Sequence, residues 1–104
     1  MAQRERLPNR RESETVEFWH SGLDYTGTAS RFSDGRLAEV FLDTAKGGSA
    51  GLAARDAALA ASLALQYGCT AAELRASLTR LEDGSPAGPL AVLLDLVEPE
   101  AKPS

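Results

Sequence analysis

The sequence predicts an α+β domain in which a three-stranded antiparallel meander is followed by two or three helices packed on one face, in the order β-β-β-α-α-α. Three observations lead there. Between Ser13 and Asp43 apolar and polar residues alternate with period two. Ser21-Gly22 and Asp34-Gly35 interrupt that stretch at hairpin spacing, with turn residues between apolar runs. Beyond Gly47-Gly48 the apolar period lengthens to that of a helix.

The first strand starts at Ser13, with Val16 and Phe18 turned one way and Glu17 and Trp19 the other. The second runs from about Leu23 to Phe32. Gly27 at its middle signals a bulge or a close backbone approach. The third, Leu37–Asp43, sets Ala38, Val40 and Leu42 on one face and Leu37 and Phe41 on the other. Which of Phe18, Trp19, Tyr25 and Phe41 lie under the helices is left open by the pattern.

A first helix is expected over about Ala50–Tyr67, with Ser49 as its N-cap and Gly68 at the left-handed position that ends helices. Leu52, Leu59, Leu63 and Tyr67 fall near one face of it, and most other positions are alanine or serine. Such a helix has no broad polar side, so cover from two directions is expected: the sheet, and either later helices or another subunit. Thr70-Ala71-Ala72-Glu73 has the form of a capping box that opens a second helix running to about Leu81, on a stripe of Leu74, Leu78 and Leu81. Pro89 suits the first turn of a third, whose stripe is Leu90, Leu93, Leu94 and Val97. The organisation expected is an extended basic arm over residues 1–12, one domain over 13–97 and a disordered tail over 98–104.

The 104 residues suffice for one domain with a modest core. Charges interrupt every apolar run well short of the ~18 residues of a membrane helix, and no apolar signal core follows Met1. One cysteine excludes an internal disulfide, and a reducing cytoplasm is the expected location. Net charge is −4, but Arg4, Arg6, Arg10 and Arg11 against Glu5 make the first eleven residues +3. A basic arm could meet nucleic acid or an acidic partner surface; folding back onto its own acidic body is the favoured reading, because that body repels a polyanion.

Candidate chemistry is sparse. Lys46-Gly47-Gly48-Ser49, at a strand-to-helix junction, joins a full positive charge to glycine amides at a helix start, a setting for a phosphate or nucleotide-like anion. It lacks P-loop spacing, and a plain flexible turn competes with it. Cys69, beside the cap Thr70, is a possible reactive thiol. Its catalytic partner would have to be His20, the chain's single histidine. One histidine and one cysteine make a poor metal site, so no metal and no cofactor are expected. Arg75 and Arg80, on the polar side of the second helix, are read as solvated, with phosphate or a carboxylate as the other options.

These residues resemble a known family. Leu7-Pro8 and Arg11, then Asp34-Gly35 with Glu39-Val40-Phe41-Leu42, then Lys46-Gly47-Gly48-Ser49 follow the order of the TSCPD domain. The run Ala61-Ser62-Leu63-Ala64-Leu65-Gln66-Tyr67-Gly68 is the most specific part, and the similarity covers about Arg4 to Leu81. The family's name-giving Thr-Ser-Cys-Pro-Asp motif is not present as such. The resemblance implies kinship with the C-terminal domain of vitamin B12-dependent (class II) ribonucleotide reductases and with small free-standing bacterial proteins. Those reductases use a large barrel and several catalytic cysteines, which a chain of this size with one cysteine lacks. The expected function is therefore a non-catalytic accessory or regulatory module that binds a reductase-type partner or a nucleotide-like anion. A free-standing homodimeric interaction protein without a small ligand is the alternative.

Overall fold

The computed structural model describes residues 3–10 and 12–98. Its elements are β1 (Ser13–His20), β2 (Leu23–Arg31), β3 (Leu37–Asp43), α1 (Gly48–Gln66), α2 (Ala71–Ser77) and α3 (Pro89–Val97). The strands form one antiparallel sheet in the order β1-β2-β3. Ser21 and Gly22 both adopt positive φ, 49° and 84°, which fits the tight turn whose twist matches the flanking strands. The second connection is longer, with five residues between β2 and β3 against two between β1 and β2. The Gly35 amide donates to the Phe32 carbonyl (2.9 Å) and the Phe32 amide to the Arg36 carbonyl (2.8 Å) around Gly35 at φ 94°. The pairing shifts register between Ser30 and Arg31 beside this loop. There Leu37 is buried in the core rather than sharing the exposed face of Phe41, as strict alternation would have it.

The inner face carries Val16, Phe18, Tyr25, Ala29, Val40 and Leu42, with Phe18 and Tyr25 stacked at 5.5 Å. The outer face carries Trp19 and Phe41, 68% and 50% exposed. Against the inner face lies α3, whose Leu93 and Leu94 are completely buried. Gly27 marks neither a bulge nor a backbone approach: its pairing is regular, and what comes close is a side chain. A Cβ there would sit 2.5 Å from Leu93 Cδ1, so the missing side chain is the space that Leu93 fills.

α1 runs antiparallel to β3 and seals its edge. The Val40 amide donates to Ser62 Oγ (2.9 Å), that hydroxyl lies 2.9 Å from the Val40 carbonyl, and the Gln66 side-chain amide donates to the Ala38 carbonyl (3.1 Å). Two polar side chains thus take the place of a neighbouring strand. Small residues, Ala54, Ala58 and Ala61, together with Leu65, form the buried side. The stripe Leu52, Leu59, Leu63 and Tyr67 points outward and is exposed, so the two-sided cover expected for this helix is supplied on one side alone.

Other boundaries differ from expectation. Gly47, not Ser49, is the N-cap of α1, and no side chain caps it. The capping box of Thr70 and Glu73 is present, but α2 ends at Ser77 rather than Leu81. The chain then turns into a hairpin-like loop in which the Ala87 amide donates to the Thr79 carbonyl (3.1 Å) and the Leu81 amide to the Ser85 carbonyl (2.9 Å). That pairing consumes the backbone groups a longer helix would use, and leaves Leu81 exposed. Within the expected tail, Glu98 accepts from Arg31 at 2.8 Å; residues 99–104 lie outside the described residues.

Candidate functional site

The loop Lys46–Ser49 sits where expected, between β3 and α1, and Lys46, Gly48 and Ser49 are exposed. The first amides of α1 face no side-chain cap, and Gly48 takes φ 50°. Its glycines also have a packing reason. A Cβ on Gly47 would lie 2.4 Å from Thr44 Cγ2 and 2.6 Å from Gly51 Cα, so the tight crossing of the loop over the first turn requires a residue without one. Immediately upstream, Asp43 accepts from Arg55 (2.8 Å) and from the Thr44 amide (3.0 Å), and both bonds hold its carboxyl below the usual range. This fixed negative charge next to the loop opposes an anion as Lys46 favours one.

Cys69 and His20 are not brought together. His20 closes β1 at the first hairpin, with Nε2 3.3 Å from the Ala87 carbonyl. Cys69 lines a recess of about 250 Å³ with Arg36, Leu37, Leu65 and Ala71, beside the second hairpin. The two sites lie at opposite ends of the nine-residue β2, roughly 25 Å apart at the rise of an extended strand. No thiol–imidazole pair forms within one copy of the chain. Among the described residues, no group of three or more histidine, cysteine, aspartate or glutamate side chains could hold a metal. No helix is long and apolar enough to cross a membrane.

Two polar clusters escaped the sequence reading. Asp95 on α3 is held by Arg75 on α2, through Nε (3.0 Å) and Nη2 (2.9 Å), and by Arg80 at 2.6 and 2.8 Å. Arg75 and Arg80 are thus partly buried around a carboxylate, not spread over a solvated face. Arg80's hydrogen bond is the main reason that the Asp95 carboxyl lies below its ordinary range; burial opposes this, and Arg75 adds to it. Arg31 binds Glu98, Glu14 (3.4 Å) and the Val97 carbonyl, closing the C-terminal end of α3. Neither constellation has a motif, because each ion pair joins residues 15–67 positions apart.

The arm folds back onto the body, among the described residues through Arg4 and Glu5. Arg4 donates to the side-chain oxygen of the buried Gln66, the Glu5 amide to the Gln66 carbonyl (2.7 Å), and Arg36 to Glu5 (2.8 Å). Arg11 lies outside the described residues.

Around α1, 100° per residue carries the order from Ser62 and Gln66, facing β3, through Arg55 to Leu59, Leu52 and Leu63. Arg55 pairs with Asp43 of the outer sheet face, so the leucine stripe adjoins the side of the sheet that exposes Phe41. On this flank Leu52, Leu59 and Leu63 of α1 and Phe41 of β3 are exposed.

Comparison with known proteins gives this flank a context. The chain is 42% identical over 67 residues to the vitamin B12-dependent ribonucleotide reductase of Agrobacterium fabrum, covering 64% of this chain and 5% of the reductase. Against the protein of the same name from Bradyrhizobium diazoefficiens it is 37% identical over 93 residues, 86% of this chain and 7% of the reductase. The chain is similar to a short segment of these reductases. It spans less than a tenth of their length. No protein-family model and no solved structure matches it.

Proposed function

We propose that the chain is a non-catalytic docking module of TSCPD type, which seats the outer stripe of α1 on a larger protein of the ribonucleotide reductase class. The observation that carries this reading is the exposure of Leu52, Leu59, Leu63 and Tyr67 in a chain whose relatives hold the corresponding segment within a far longer protein. An apolar face of this size is costly to leave in water, at about 25 cal/mol per Å². In the relatives the equivalent face would have a large body at hand. Support for a non-catalytic role comes from the separation of Cys69 from His20. The cobalamin in the relatives' name finds no fit among the described residues, since the one imidazole is turned onto the Ala87 carbonyl at a strand end. A nucleotide-like anion at Lys46–Ser49 is an optional addition to this reading, and inorganic phosphate titrated against the Gly47, Gly48 and Ser49 amide resonances would test it separately.

The experiment is a binding measurement between this chain and a purified vitamin B12-dependent ribonucleotide reductase. Saturable binding is expected, lost in the Leu59→Asp/Leu63→Asp variant while its thermal stability is unchanged. Binding that survives both aspartates, or no binding at all, overturns the assignment. The same stripe, nearly uncharged, favours one second reading: a homodimer formed by two α1 helices. Light scattering that gives twice the chain mass for the wild type and a monomer for the double variant would select it.

A further inference from the structure

We propose that the outer edge of β1 is a docking strip for an extended, basic segment of a partner protein, which adds a fourth strand to the sheet and places a lysine or arginine against Trp19 between Glu17 and Asp24. The sheet has two edges. Ser62 and Gln66 of α1 seal the edge at β3. At the other edge every second residue of β1 turns its N–H and C=O away from β2. Among the described residues, no backbone hydrogen bond from elsewhere in the chain reaches these groups. β1 is eight residues long and regular in its pairing throughout, a length sufficient to template another strand.

The chemistry beside this edge selects the occupant. On the outer face Trp19 lies directly across from Asp24, and Glu17 lies two residues before it on the same face. Glu17, Trp19, Asp24 and Thr26 line one open recess at that corner. β1 and β2 place no lysine or arginine on this face: its positions are Ser13, Thr15, Glu17 and Trp19, and Asp24, Thr26, Thr28 and Ser30. An exposed indole flanked by two carboxylates is matched by a cation on a flexible apolar stem, through ring contact and charge together. A second copy of this chain is the poorer occupant. It would bring its own Glu14 and Glu17 to the strip and a net charge of −4, so like charges would meet where a basic segment meets opposite ones. The strip lies at the sheet edge away from α1 and stands independently of the leucine stripe.

Trp19 is the chain's single tryptophan, so its emission reports on this corner without ambiguity. The full chain is titrated with a capped hexapeptide of alternating valine and arginine, and in parallel with one of alternating valine and glutamate. Indole fluorescence and the β1 amide resonances are followed. The arginine peptide is expected to give a saturable change in both, weakened about tenfold by raising salt from low concentration to ~0.5 M. The Glu17→Lys/Asp24→Lys variant, altered at exposed positions and checked for its fold by circular dichroism, is expected to lose that response. The Leu59→Asp/Leu63→Asp variant should keep it whether or not it still binds a reductase. No response at millimolar arginine peptide means that the glutamates merely guard an edge against aggregation, and overturns the proposal. So does an equal response to the glutamate peptide, or a self-association that protects the β1 amides at high concentration.

Discussion

Asp95 shows how much one carboxylate can organise. It joins α2, the segment after it and α3 through two arginines, at a point where α2 buries no residue of its own completely. Replacing it by asparagine is expected to destabilise the fold at neutral pH by about 1–2 kcal/mol, between the values typical of exposed and buried pairs. The sign of its pH dependence follows from the lowered folded-state pKa. The contribution is complete above the unfolded carboxyl's ordinary value of ~3.9 and is lost as pH falls through the lower folded value. Denaturant midpoints of wild type and Asp95→Asn should therefore differ most near neutrality and converge toward pH ~2. Nothing in the sequence announced this residue, since a single aspartate on an apolar helix reads as a solvent-facing position. Arg75 and Arg80 were visible as charges, and their partner was not.

At the scale of elements, the relation of α1 to β3 is the most informative. The strands were legible because alternation and turn glycines are local signals, and β3 begins and ends where its pattern does. The capping box and Pro89 were legible for the same reason. The orientation of α1 was not. Its leucines form the stronger stripe, and hydrophobic burial alone would turn them inward. The structure turns in alanines, Ser62 and Gln66 instead, because a helix set against a strand edge needs close approach and polar groups for the unpaired backbone. The end of α2 was misread for a related reason: the Thr79–Ala87 pairing is long-range and leaves no periodic trace. Ser62→Ala should test the edge seal. It strands a buried Val40 amide, and a loss of about 1–3 kcal/mol in thermal or denaturant unfolding is expected. A change within error would mean that the seal contributes little.

For the whole molecule, the arm and the body act as one unit. Arg4 and Glu5 reach across to Gln66 at the end of α1, and Arg36 ties Glu5 to the second hairpin. Deleting residues 1–10 should lower the unfolding midpoint by roughly 5 °C, corresponding to about 1 kcal/mol for a domain of this size. An unchanged midpoint would show the arm to be a passive extension. The exposure of Leu59 and Trp19 escaped the sequence because exposure is a property of the assembled chain: both look like core residues until their neighbours are found elsewhere. The placement of α3 has a last consequence, for synthesis. The meander and α1 join segments close along the chain, whereas Leu90, Leu93, Leu94 and Val97 pack against strands laid down some fifty or more residues earlier. As the polypeptide leaves the ribosome, Tyr25, Ala29 and Val40 must wait, half-dressed, for α3 to emerge. A nascent chain halted before Pro89 should therefore be a readier client for chaperones than one that includes α3.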